Sequence, residues 1–237
     1  MPRLTKRISK TAGLSPGALV YVGEKREGPV SVSVINYDES SFEEKDFKDI
    51  SECFKYKDTP SVSWININGV HNVEIIEAVG NAFGLHPLGM EDIINTGQRP
   101  KYEDYDNNLL IVFKMLQCLN NSDIVSEQVS VFLGENFVVS FQEKEGDVFE
   151  QVRNRIRNNK GRIRKMGADY LAYCLLDSVV DGYYAVLEKI GDKIESIEEE
   201  VVLNPEPKTL QIIHNLKREA IYLRKSVWPL REVINSL

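Results

Sequence analysis

The sequence predicts an α/β protein, a mixed β-sheet covered by helices and continued by a long antiparallel helical hairpin. Three observations predict it. Between Asp169 and Leu203, apolar or aromatic residues recur at Leu171, Leu175, Val179, Tyr183, Val186, Ile190, Ile194, Ile197 and Val201, one face of a single uninterrupted helix. A second stripe, Leu210, Ile213, Leu216, Ala220, Leu223, Val227, Leu230 and Ile234, follows the breaker Asn204-Pro205-Glu206-Pro207, a link short enough to make the helices antiparallel neighbours. Upstream, β-rich runs joined by turn residues are interrupted by short helical patterns, which points to a mixed sheet rather than a doubly wound parallel one.

In chain order, residues 1–16 read as a flexible tail, 17–165 as the sheet domain and 166–237 as the hairpin. Ala18 to Gly23 and Val30 to Tyr37 are β-rich and predict a hairpin across the polar loop Glu24 to Pro29. Asp38 to Asp58 is charged, with Phe42, Phe47, Ile50 and Phe54 spaced for a short helix over the sheet. In Ser61 to Asn68, Val62, Trp64, Asn66 and Asn68 alternate with Ile65 and Ile67, so both faces carry apolar residues, as in an interior strand. A helix through Val73, Ile76, Val79 and Phe83 ends at Gly84, and a second starts at Pro87, at home in a first helical turn. Leu109 to Leu119, Val125 to Leu133 and Phe137 to Gln142 are strands linked by hairpin chemistry, and Asp147 N-caps a helix from Val148 to Arg157.

The long helix would run roughly 50 Å at ~1.5 Å per residue, longer than a small domain is wide. From Val179 to Val201 its stripe steps by 4 and 3 in an eleven-residue period, which predicts a nearly straight or gently right-handed pairing. Glu188 to Glu200 holds six acids against Lys189 and Lys193, and the second helix answers with Lys208, Lys217, Arg218, Arg224, Lys225 and Arg231. A solvated pair of helices joined by ion pairs explains that pattern. The second pattern is still running through Trp228, Leu230 and Ile234 at Leu237, with Pro229 a candidate kink, and this reads as a chain continued in a longer one.

The chain has 237 residues, 42% hydrophobic and 27% charged, and a net charge of −7, which does not advertise nucleic-acid binding. The local exception is Gln151 to Lys165, with seven Arg or Lys and no acid. No aromatic there stacks a base, so an acidic helix of a neighbour is as good a partner as nucleic acid. Cys53, Cys118 and Cys174 are scattered, which argues for reduced thiols, and His71, His86 and His214 lie too far apart for a usual zinc site. The basic start lacks an apolar run behind it and is not a secretory signal; no stretch approaches the ~20 apolar residues of a membrane helix. Nucleophile elbow, P-loop, dinucleotide fingerprint and zincin motif are absent, and no enzyme activity is assigned.

The candidate chemistry lies in carboxylates. Glu91 and Asp92 are adjacent on a helix, so their side chains diverge by about 100° and serve two directions rather than one. Oxygen-only donors suit Mg²⁺ or Ca²⁺, and Mg²⁺ keeps most of its waters. The competing reading is an N-terminal dipole pair, or salt-bridge partners of Arg99 or Lys101. Asp177 and Asp181, four residues apart on the half of the long helix that should dock on the domain, repel mildly unless a cation relieves them.

Trp64-Ile65-Asn66-Ile67-Asn68-Gly69 with His71, His86-Pro87-Leu88 before Glu91-Asp92-Ile93, Gln98-Arg99-Pro100-Lys101, Gln142-Glu143-Lys144 with Gly146-Asp147, and Trp228-Pro229-Leu230-Arg231-Glu232 resemble the cytoplasmic part of CorA-type magnesium transporters, in order and spacing. The resemblance implies an α/β/α sandwich followed by two antiparallel helices. A stalk, two membrane helices and a Gly-Met-Asn signature follow in that family, which assembles as a pentamer in the cell membrane. It also implies regulation by divalent ions between subunits: Asp92 and Asp177 map onto metal positions, with Glu91 beside the first and Asp181 a weaker match. The opposing stalk carboxylate lies beyond Leu237, so Mg²⁺, or Co²⁺ and other divalent cations, should bind these residues weakly. Rival readings are a zinc transporter of the related efflux type and a soluble adaptor whose hairpin docks partners.

Overall fold

The computed structural model describes residues 13–26, 28–106, 108–118, 124–203 and 207–236. Seven strands form one sheet in the order β2-β1-β3-β7-β6-β5-β4. They are β1 (Ser31–Tyr37), β2 (Phe42–Phe47), β3 (Val62–Asn68), β4 (Lys101–Tyr105), β5 (Asn108–Cys118), β6 (Ile124–Leu133) and β7 (Phe137–Gln142). Neighbours are antiparallel except β3 and β7, which run parallel, so the sheet is mixed as expected. Helices cover both faces: α1 (Val73–Phe83) and α2 (Pro87–Ile94) on one, α3 (Glu150–Arg157), α4 (Ala168–Leu203) and α5 (Pro207–Ser236) on the other.

The period-2 alternation read in β3 is what divides the core. Ile65 and Ile67 enter the α1/α2 layer with Val34, Val139, Ile76 and Ile93, while Trp64 enters the α4 layer with Ile35, Val138 and Phe149. Both layers are built of buried apolar side chains, each contributing about 1.5–3 kcal/mol. Asn72 caps α1 by accepting from Ile75 N at 3.2 Å, and Gly84 ends it in the left-handed region at φ 79°, the conformation a terminating glycine supplies.

Three local expectations are corrected. Ala18 to Gly23 forms no hairpin with Val30 to Tyr37; Val22 instead makes an isolated parallel bridge with Asn95, its N–H donating to the Ile94 carbonyl at 3.1 Å. The chain has left the sheet to strap α2. Asp38 to Asp58 is not one helix. Asp38 Oδ1 accepts from the N–H groups of Ser40 and Ser41 at 2.7 Å each, a side-chain turn that outcompetes helix and folds β2 back as an edge strand. Only Ile50–Lys57 is helical, a 3₁₀ segment capped by Asp49. Asp147 accepts from Phe149 N at 2.9 Å, but α3 itself begins at Glu150.

The hairpin also differs from its reading. Residues 204–206 of the expected breaker, like most of the expected tail, lie outside the described residues. On α4 the inward line is Val179, Tyr183, Val186, Ile190, Lys193, Ile197 and Glu200; on α5 it is Thr209, Ile212, Leu216, Glu219, Leu223, Ser226, Leu230 and Val233. Both step by 3 and 4 in heptads, the spacing of a left-handed pairing rather than a right-handed one. Ile194 and Val201 are exposed, as are Leu210, Ile213, Val227 and Ile234. An apolar stripe alone misplaced the seam because Lys193, Glu200 and Glu219 occupy seam positions. Where α4 crosses β5, a Cβ at Gly182 would stand 3.3 Å from the Leu116 carbonyl oxygen, so this glycine permits the close approach.

Candidate functional site

Asp92 sits at the junction of α2 and the β4 edge. His86 caps α2, its Nδ1 accepting from Leu88 N at 3.2 Å, and its ring stacks on Tyr105 of β4 with centroids 4.8 Å apart. At Gly89 an added Cβ would meet Leu110 at 3.2 Å, so the glycine lets α2 lie close on β5. That docking turns Met90, Ile93 and Ile94 inward, and Asp92 with them.

Lys101, Gln98 and Gln128 of this chain surround Asp92. Lys101 Nζ lies 2.5 Å from Oδ2, and Gln98 Nε2 donates to Oδ1 at 2.7 Å. The Asp92 side chain is 12% exposed and that of Lys101 29%. Burial pushes the Asp92 carboxyl above the usual carboxylate range, the Lys101 ammonium opposing that push and Glu103 and Glu91 adding to it. Gln128 on β6 braces the arrangement. Its Nε2 donates to the Asp92 main-chain carbonyl at 2.9 Å, and its Oε1 accepts from Gln98 N and Lys114 Nζ, each at 3.2 Å. Sequence reasoning missed Gln128, whose only signal is a polar residue in an otherwise apolar interior strand.

Glu91 points the other way, as its neighbouring helical position requires, and its Oε2 accepts from Gly17 N at 2.7 Å. Asp177 and Asp181 are exposed on α4, in the layer across the sheet, with no ion-pair partner among the described residues. Their half of α4 does dock on the domain, but through Leu175, Val179 and Tyr183, so the two aspartates face away. The four candidate carboxylates therefore fall into two groups on opposite faces. Among the described residues no cluster of three or more His, Cys, Asp or Glu could hold a metal within one chain.

A polar cleft of about 720 Å³ opens between the β1–β2 face and α3, lined by Ser31, Ser33, Asp46, Asn66 and Asn68. Of its other acids, Asp147, Glu44 and Glu150 are committed to arginines from the basic run. Asp147 is clamped by both Arg153 terminal nitrogens at 2.8 and 2.5 Å, and Glu44 by Arg157 at 2.7 Å twice. Against burial, which pushes its carboxyl up, Arg153 and hydrogen bonds from Gln142 and Phe149 N hold Asp147 below the usual range. Gln142 Nε2 and Ser140 Oγ both donate to Asn66 Oδ1, and Trp64 Nε1 donates to Ser140 Oγ at 2.8 Å, which joins the cleft floor in one polar network, with Gln142 Oε1 left without a hydrogen-bond partner among the described residues. Arg153 and Arg157, two of the seven cations of Gln151 to Lys165, thus spend their charge inside their own domain.

No helix among the described residues is long and apolar enough to cross a membrane. The profile of the family described as "CorA-like Mg2+ transporter protein" matches residues 60–237. The Cobalt/magnesium transport protein CorA of Thermotoga maritima is 48% identical over 233 residues, 98% of this chain but 66% of that protein, so the chain spans just under two thirds of this relative. Among solved structures, the soluble domain of CorA from Methanocaldococcus jannaschii superposes with a TM-score of 0.67 at 16% identity, over 85% of this chain and 76% of that one. The ZntB cytoplasmic domain from Vibrio parahaemolyticus gives 0.63 at 12% identity, over 86% and 80%; these two likenesses speak for the fold alone. Fold, motif order and a profile that covers most of the sequence agree, and the chain belongs to the CorA-like Mg²⁺ transporter family.

Proposed function

We propose that these residues form the cytoplasmic, ion-sensing part of a divalent-cation transporter that carries Mg²⁺, with Co²⁺ as a second cargo, through membrane-spanning segments outside this chain. The observation that carries the reading is the 48% identity to the T. maritima cobalt/magnesium transport protein over 98% of the chain. CorA-like proteins are ion transporters and not enzymes, so the carboxylates are assigned to ion binding.

The donor set fits a hard, hydrated cation. Asp92 and Glu91 offer only oxygens, each with lone pairs beyond those its hydrogen bonds occupy, and Mg²⁺ takes one or two carboxylates while keeping its waters. Because Asp92 and the Asp177/Asp181 pair lie on opposite faces, a single chain cannot bring them together. Copies arranged head to tail in a ring can, the α2 face of one meeting the α4 ridge of the next, and a pentamer is such a ring. A bound divalent cation would supply the positive charge that holds the two faces together. When it leaves, the carboxylates repel, the ring loosens and the pore is favoured open.

Mg²⁺ flux through the intact gene product in liposomes tests this. Wild type should close as Mg²⁺ rises on the side of this domain, and Asp92→Asn should stay open at concentrations that close wild type. Closure unchanged in Asp92→Asn, or a gene product that carries Zn²⁺ and not Mg²⁺, overturns the assignment; a gene product with no flux at all favours the soluble adaptor.

A further inference from the structure

The ion pair at the candidate site joins partners that are held unequally. Asp92 is fixed: it rides the buried face of α2, its main-chain carbonyl is held by Gln128, and its Oδ1 is held by Gln98. Lys101 is not. It lies on β4, the last strand of the sheet, and reaches Asp92 at the end of a four-carbon stem. It also has a second acceptor, since Glu103, two residues along the same face of β4, places Oε1 3.2 Å from the same ammonium. The Glu103 side chain is 42% exposed, so that alternative lies towards solvent.

Resting on the reading of Asp92 as an ion ligand, we propose that Lys101 sets the ion affinity of that carboxylate, as a tethered cation on the oxygen a divalent ion must take. A lysine ammonium is a compact, strongly hydrated point charge, the nearest a protein side chain comes to a hard metal ion. A divalent cation entering at Oδ2 meets the ammonium at close range, and the repulsion between the two positive charges favours displacing it. The released ammonium keeps Glu103 and water, so it leaves without becoming a buried, unpaired charge. Lys101 thereby weakens ion binding to Asp92 and also supplies the substitute that keeps the carboxylate folded in place when the ion is gone. Gln98 and Gln128 hold Asp92 still through the exchange.

The test is the Mg²⁺ concentration that half-closes the intact gene product in liposomes. Lys101→Met should lower it by about tenfold or more, and Lys101→Arg, which keeps the charge, should leave it at or above the wild-type value. Glu103→Gln removes the alternative acceptor, binds Lys101 more firmly to Asp92, and should raise the half-closing concentration by roughly threefold. This opposite sign keeps the proposal decidable even if Lys101→Met melts before it can be assayed. Half-closing concentrations that are unchanged or raised in Lys101→Met, or unchanged or lowered in Glu103→Gln, overturn the proposal. Asp92→Asn separates the two claims. If it leaves closure intact the ion site itself is misassigned, whereas loss of closure in Asp92→Asn with no response to Lys101 or Glu103 sinks only the role of Lys101.

Discussion

Lys193 Nζ lies 3.0 Å from Glu219 Oε2, an ion pair that joins α4 to α5 within the inward line of the hairpin rather than on its outer surface. The side chains are 28% and 13% exposed, so neither charge is fully hydrated. Such a pair fixes register more than it stabilises, because desolvation offsets much of the attraction. Glu219→Ala, which takes this acceptor away from the Lys193 ammonium, should cost about 0.5–1 kcal/mol in urea unfolding, while Lys193→Leu with Glu219→Leu should be neutral or stabilising. The same seam predicts that Leu223→Ala costs about 2–4 kcal/mol and Leu210→Ala less than about 0.5. Equal effects at Leu223 and Leu210 would restore the stripe read from the sequence.

The two glycines inside α4 should respond with opposite signs. At Gly191 nothing stands within 4 Å of an added Cβ, so Gly191→Ala should stabilise by about 0.5–1 kcal/mol through helix propensity alone. At Gly182 the Leu116 carbonyl and Val148 crowd the position at 3.3 and 3.7 Å. Gly182→Leu should therefore lift α4 from β5 and cost about 1–3 kcal/mol. Thermal melting of the two variants checks both, and a stabilising Gly182→Leu would show that α4 does not lie this close to the sheet.

Glu127 on β6 should make stability fall with rising pH. Its side chain is 3% exposed, neither oxygen has a hydrogen-bond partner among the described residues, and Lys144 Nζ stands 3.8 Å away. Burial pushes its carboxyl up to about 8, the Lys144 ammonium opposing and Glu143 adding to the shift. The unfolded chain releases this proton near pH ~4.3, so between that pH and about 8 the folded state holds a proton the unfolded state has lost. Stability contributed by the neutral form is whole below the unfolded value and declines as pH rises through the window. Glu127→Gln should remove the decline, and its advantage over wild type should grow to roughly 2–4 kcal/mol at pH ~8. Denaturation midpoints at three pH values decide it; parallel curves for the two proteins would place a charged, compensated Glu127 in the fold.

The site was half legible. Asp92 and Lys101 are both conspicuous in sequence, and the ion-pair reading of Asp92 with Lys101 is the one the fold realises, at 2.5 Å. Choosing Lys101 over Arg99 required the strand. Residues 101, 103 and 105 alternate with 102 on β4, and pairing of Lys101 with Val112 brings its side chain to the α2 face. Gln128 was illegible because its contact with Asp92 spans 36 residues and depends on the β5–β6 register. The hairpin at Ala18 to Gly23 failed for a related reason: a β-rich run specifies an extended chain, and only the backbone at the end of α2, where Ile94 and Asn95 pair with Val22, specifies where it lies.

By itself the sequence determined the strands β1, β3, β5, β6 and β7, the helices α1 and α2 and the α4–α5 hairpin, but not the edge strands β2 and β4; it also determined that β3 would be interior and that two acidic groups would stand out on α2 and α4. Those follow from periodicity and turn chemistry, which act over a few residues. The tertiary structure alone decided that the two groups face away from each other across a sheet, that a lysine occupies the first, and that the hairpin seam runs in heptads through charged residues. Each of these depends on strand register or on the rotation of a helix about its axis. A difference of ~20° per heptad in that rotation, too small to read from apolar spacing, selects which side chains meet.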